Sequence, residues 1–294
     1  MNIRSIPVLL LLALLIAAAS AYASGEQQVI KISEKGFINW TLGLVQGKGI
    51  SAPENTSRKI SGEDSTALRD ARRDASRNIL DEIQQIQVDA TATVKDIALE
   101  NDVIMAEIEE MVRKAQEVKN EYLSDGTVVL TMQMSLRGGF AQLILPQDIK
   151  QVETIKPMTP VQKTPPSTAP ELKASSENHV SPIYTGLIVD ARGLDARPAM
   201  SLKIFDENGQ EVYGSAFVSR EFAVQEGMSG YLKDLATAQS DSRVADSPLT
   251  VKGLRTQGIG NSNIVISNAD ASKIRSASEH LSFLKKCRVI IVID

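Results

Sequence analysis

Residues 184–214 read YTGLIVDARGLDARPAMSLKIFDENGQEVYG, the densest run of structural instruction in the chain. Leu187, Ile188 and Val189 form a short continuous apolar run, the signature of a strand buried on both faces. Gly193 to Pro198 bracket a turn, and Met200 to Phe205 continue as a strand. Asn208-Gly209 then supplies the positive-φ pair that closes a hairpin into Glu211 to Tyr213.

Downstream, the spacing predicts a helix over Ser219 to Ala238, with Phe222, Tyr231, Leu232 and Leu235 facing a core and Gly227 and Gly230 weakening its middle. Leu249 to Leu254 and Asn263 to Ser267 read as strands, and Asn268 or Asp270 caps a helix running to Lys285. Cys287 to Ile293, CRVIIVI, has the same continuous hydrophobicity as Leu187 to Val189. These two strands are expected side by side in the centre of one sheet.

Upstream the composition changes. Between Gln151 and Pro182, six prolines lie among Thr, Lys, Ser and Glu, too polar to bury enough apolar surface to offset the entropy of ordering. This linker separates a first module, 24–150, from a second, 183–294, and predicts that the two can move relative to one another unless a partner fixes them. A length of 294 residues fits two domains of ordinary size.

In the first module, FINWTLGLVQGK (37–48) reads as one alternating strand with Ile38, Trp40, Leu42 and Leu44 on its buried face. Trp40, the only tryptophan, is a candidate stacking platform for a sugar or ring, although its phase with three aliphatic residues favours a core position. Asp64 or Ser65 caps a long helix whose stripe is Leu68, Ala71, Ala75, Ile79, Ile83 and Ile86. Asp70 and Asp74 lie at pairing distance among its arginines, so that face reads as self-compensated rather than as a polyanion site. Thr91 to Ile97 reads as extended, and Asn101 or Asp102 caps a second helix with stripe Ile104, Ile108, Met111 and Ala115. Val118 to Tyr122 and Thr127 to Leu136 form a hairpin around Asp125-Gly126. The fold class expected is α+β: two small modules, each an antiparallel or mixed sheet packed with helices.

Residues 1–23 carry a positive start at Arg4, an apolar run from Pro7 to Ala19 and Ala21-Tyr22-Ala23 as a small-x-small cleavage site, the layout of a secretory signal. Cleavage before Ser24 predicts a periplasmic or outer-membrane-associated chain with no retained span. Loss of Arg4 from 32 basic residues leaves 31 against 36 acidic, which excludes a general attraction to nucleic acid or anionic lipid. Cys287 is the sole cysteine, so no disulfide forms within the chain and no cysteine near the cleavage site can take a lipid.

Candidate chemistry is sparse. His179 falls in the linker and His280 on the polar side of the last helix, and no metal-ligand spacing or phosphate-binding loop is present in the sequence. Gly253 to Asn261 reads as a hairpin turn. Asp190 and Arg192 stand where open sheets bind ligands, at the carboxyl end of a central strand, and are the best ligand-binding candidates with Trp40. The alternative is that they tie down the following turn. Asp190 with Asp206 is the best carboxylate pair for a hydrolase. No cofactor or metal is expected.

The segments GFINWTLGLVQGKGI, ALRDARRDASRNILDEI, VDATATVKDI and EYLSDGTVVLTMQMSL make the first module resemble the lipoprotein-twenty family of bacterial envelope proteins and the flagellar proteins FlgP and FlgT. YTGLIVDARGLDARPAM with the terminal RVIIVID looks like the second half of two-module exported relatives. The resemblance implies a non-enzymatic envelope component, with envelope or flagellar basal-body proteins, or further copies of the chain, as partners. A periplasmic module binding a glycan or small anion is the alternative.

Overall fold

The computed structural model describes residues 28–51, 66–149, 184–276 and 282–294. The signal-like residues 1–23, the cap candidates Asp64 and Ser65, the linker 151–182, and both histidines lie outside the described residues. Two sheets, each packed with helices, give the expected α+β class.

The first module contains β1 (Ile30–Ile32), β2 (Gly36–Asn39), β3 (Leu44–Ser51), α1 (Thr66–Gln84), α2 (Val94–Glu100), α3 (Asp102–Arg113), β4 (Gln116–Tyr122), β5 (Val128–Ser135) and α4 (Gly139–Ile144). Its sheet is antiparallel in the order β1-β2-β3-β5-β4. The single strand expected over 37–48 is instead a hairpin. The Asn39 side chain accepts the Leu42 amide at 2.9 Å and Gly43 takes φ +67°, so the chain reverses at Trp40 to Gly43 and Asn39 pairs with Leu44. Reversal puts Val45, Gly47 and Gly49 on the inner face and leaves Leu42 51% exposed.

The expected stripe of α1 is buried on this face. Gly47 and Gly49 let the helix come unusually close. A Cβ on Gly49 would stand 2.0 Å from the Ala71 carbonyl oxygen, and one on Gly47 would stand 2.6 Å from the Ile79 side chain. Asn78 Nδ2 donates to the Lys48 carbonyl at 2.6 Å across the same seam. On the solvent side, Arg73 pairs with Asp70, Arg77 with Asp74, and Arg72 with Glu117, so the arginine face is compensated as expected. Val94–Glu100 is a helix rather than extended chain, because Thr93 and Asp96 form a reciprocal capping box. Asn101 caps α3, as expected.

The second module contains β6 (Gly186–Asp190), β7 (Ile204–Phe205), β8 (Glu211–Tyr213), α5 (Arg220–Glu226), β9 (Gly230–Leu232), α6 (Leu235–Gln239), β10 (Pro248–Gln257), β11 (Asn263–Ile266), α7 (Asn268–Ser276), α8 (Ser282–Lys285) and β12 (Val289–Val292). Sheet order is β8-β7-β11-β10-β6-β12-β9, with β10, β6, β12 and β9 mutually parallel. The two apolar runs are neighbours as expected, Leu187 opposite Val289 and Val189 opposite Ile291. Each serves both faces: Ile188, Ile290 and Val292 join the cluster under α6, while Leu187, Val189 and Ile291 belong to the main core.

The helix expected over 219–238 is broken. Gly227, at φ +79°, ends α5, and Gly230 to Leu232 join the sheet edge beside β12 before Asp234 caps α6. Met200 to Leu202 are likewise not strand: the amides of Met200 and Ser201 donate to the Gln87 and Val88 carbonyls of the first module at 3.0 and 2.7 Å.

The modules are docked rather than independent, and one apolar cluster runs through both. Arg220, 5% exposed, donates to the carbonyls of Pro146 and Gln142 at 2.8 and 2.9 Å. The turn expected over Gly253 to Asn261 is shorter, because Gly253 to Gln257 belong to β10 and pair with β11; residues 258–262 make the turn, and the Gly260 amide donates to the Ala90 carbonyl at 2.9 Å. Gln28 bridges Leu232, so the start of the described chain covers the β9 edge.

Gly49→Ala is expected to cost about 3 kcal/mol in urea denaturation, the overpacking penalty of a seam with no slack, while Lys48→Ala beside it changes stability by less than about 0.5 kcal/mol. Arg220→Ala takes the side-chain donor from the Gln142 carbonyl and leaves that of Pro146 only the long bond from the Ile149 amide, and is expected to cost about 2 kcal/mol in the same denaturation measurement.

Candidate functional site

Asp190 ends β6 at the open end of the parallel strands, and Arg192 lies beside it. They serve each other: Nε and Nη2 of Arg192 donate to the two carboxylate oxygens at 2.8 and 2.7 Å. This fork uses the geometry in which guanidinium and carboxylate fit best, and it holds the Asp190 carboxyl below its usual range. The turn behind it is fixed by the Gly193 amide donating to Asp294 Oδ2 at 2.8 Å and the Arg197 amide donating to the Asn261 carbonyl at 3.0 Å. The Asp190–Arg192 pair is thus closed on itself beside the Gly193 to Pro198 turn, which Asp294 and Asn261 hold.

Trp40 lies in the β2–β3 turn, half-buried, with its ring edge-on to Tyr231 at 5.8 Å and 72°. The small cavity it lines contains neither Asp190 nor Arg192, so the three candidates do not form one site. Asp206 is buried beneath the β7–β8 turn, where it accepts the Asn208 and Gln210 amides at 3.0 and 2.8 Å and Arg275 Nη1 at 2.9 Å. Burial pushes its carboxyl up, but those donors more than offset this and hold it low. Cys287 is buried, which pushes its thiol up to about 11 and leaves it protonated and weakly nucleophilic at neutral pH. Among the described residues, no three His, Cys, Asp or Glu side chains group as metal ligands, and no helix is long and apolar enough to cross a membrane.

The structure contains a site that the residues in linear order do not announce. A cleft of about 560 Å³ lies at the module junction, entered by Thr41 and Arg137 from the first module and by Arg243, Lys286 and Arg288 from the second. Arg243 is held by three backbone carbonyls: Nε donates to Cys287 at 2.9 Å, Nη1 to Glu226 at 2.9 Å and Nη2 to Gly227 at 2.5 Å. Burial, with the Arg137 charge adding in the same direction, holds the Arg243 guanidinium below its ordinary value. Two glycines make room for these arginines, since a Cβ on Gly43 would stand 2.8 Å from Arg137 Nε and one on Gly230 would stand 3.2 Å from Arg243 Cδ.

By its sheet order, the second module is a mixed α+β module with a largely parallel centre and helices on both faces. Residues 186–294, which hold that entire sheet, match the family model described as Treponema pallidum Tp0624, second domain. The module is thus similar to that domain. A search of the curated proteins finds no match to the chain.

Asp190→Asn removes the charge and keeps the shape. Because the folded carboxyl titrates below its unfolded value near about 3.9, its contribution is complete above that pH and is lost as the pH falls through the depressed folded value. The partner Arg192 is partly exposed, so the variant is expected to lose about 1 kcal/mol at neutral pH, and urea titrations should show that difference closing below about pH 4.

Proposed function

We propose that the protein is an exported, non-catalytic component of the cell envelope whose docked modules act as one unit within a larger protein assembly. One observation carries this reading: the side chains best suited to chemistry are spent on the fold. Asp190 is forked by Arg192, Asp206 is saturated by two amides and Arg275, and Trp40 stands against Tyr231 across the junction. The secretory layout of residues 1–23 and the resemblance of the first module to the lipoprotein-twenty, FlgP and FlgT proteins support an envelope setting, with outer-membrane or flagellar basal-body proteins as partners. The first sheet supports a role in protein contacts. It ends on β4, whose outer edge is unpaired among the described residues and which exposes Val118 and Tyr122.

The test is made in the organism. Deleting the gene is expected to change envelope integrity or motility, and cross-linking in intact cells is expected to join the chain to envelope or basal-body proteins. Recovery of the chain uncross-linked from the cytosol, with envelope and motility unchanged, would overturn the reading.

A further inference from the structure

Arg137, Arg243, Lys286 and Arg288 face one concavity, with only the Glu226 and Asp241 carboxylates among its lining residues. That is a local excess of two positive charges in a protein whose net charge is −4. Elsewhere the fold pairs its exposed cations freely, as Arg72, Arg73, Arg77, Lys114 and Lys203 show. Here it does not. Among the described residues, none of the four cleft cations makes an ion pair, and the side chains of Arg137, Lys286 and Arg288 make no hydrogen bond. Arg243, fixed by its carbonyls, cannot swing away to a distant carboxylate.

Like charges gathered in a half-enclosed cleft repel one another, and low-dielectric walls concentrate their field in the cleft. An anion entering it meets donors whose repulsion the fold already bears. Guanidinium groups suit phosphate and carboxylate because their donors match the spacing of two oxygens. Phe222, Tyr231 and Ile290 add apolar wall, and the cleft's volume lies in the range of small-molecule sites.

We propose that the junction cleft binds a small organic anion carrying at least two negative charges, a phosphate ester or a polycarboxylate, held by Arg137, Arg243, Lys286 and Arg288. Thr41 and Arg137 come from one module and the other three cations from the second, so a bound anion bridges the modules. This site is distinct from Asp190 and Arg192, and its assignment stands apart from the assembly role.

The probes are inorganic pyrophosphate and citrate, one of each anion type, titrated calorimetrically at low salt into the protein as processed and purified from the expressing cell. At least one is expected to bind once per chain with a Kd of about 1 mM or tighter, weakening as chloride rises. Arg137→Gln and Lys286→Gln are each expected to weaken that binding about tenfold or more, since each removes a charged donor. Their unliganded melting temperatures should stay the same or rise as repulsion is relieved, which separates lost binding from lost folding. Arg255→Gln, an exposed cation on β10 outside the cleft, should bind as the unaltered protein does. The proposal is overturned if neither anion binds, if Arg137→Gln and Lys286→Gln bind normally, or if Arg255→Gln weakens binding equally. Binding of polyglutamate but of neither small anion also overturns it, in favour of an acidic protein partner.

Discussion

Three separate parts of Tyr231 hold two separate parts of the chain directly and a third through Thr41. Its hydroxyl accepts the Ala199 amide and donates to the Ala199 carbonyl, both at 3.0 Å; its ring receives Trp40; and its backbone carbonyl accepts the Thr41 hydroxyl at 2.7 Å. The Thr41 oxygen in turn accepts the Val29 amide at 2.9 Å. A residue 3% exposed thus fixes the β2–β3 turn, the loop before β7 and the first described strand around one point. Edge-on aromatic contact adds about 0.5 to 1.5 kcal/mol beyond area burial, and a fully satisfied buried hydroxyl makes this arrangement costly to rearrange. None of it would exist if Gly227 to Leu232 had stayed helical, because only as a strand does Tyr231 reach both modules.

That constraint explains why a tethered architecture becomes a docked one. A proline-rich segment predicts freedom of movement, but freedom also depends on what the two surfaces offer each other. Here the first module offers carbonyls at Gln87, Val88, Ala90, Gln142 and Pro146, and the second meets each with an amide or with Arg220. Satisfied backbone groups across a junction are worth most when water is kept out, and the shared apolar cluster does that.

Much of this was legible in the sequence where a pattern has only one physical reading. The runs at Leu187 to Val189 and Val289 to Val292, the apolar stripe of α1 and the Asp125-Gly126 hairpin each belong to that group. The reading failed where a short-range device overrode the pattern. Asn39 turned an apparently continuous strand, the Thr93–Asp96 box made helix from β-branched residues, and two glycines cut a helix to free a strand. Met200 and Ser201 left strand geometry because their amides were claimed from another module, which no local window can show. For the site, Asp190 and Arg192 were visible as neighbours in sequence. The basic cleft was not, because Arg137, Arg243 and the Lys286–Arg288 pair each look like ordinary surface charge until the fold gathers them.

The pairing of β6 with β12 sets the order in which the second module can fold. Its first strand lies between β10 and the last strand of the module, so the apolar centre cannot close until residues 289–292 have been made. Contacts so distant along the chain are slow to form, since loop closure must be completed before any burial compensates for it. In the interval Leu187, Ile188 and Val189 remain a sticky, unpaired edge of the kind that aggregates or recruits a holding chaperone. A chain made from the N-terminus onward would therefore finish its first module early and keep the second unfinished until β12 is made.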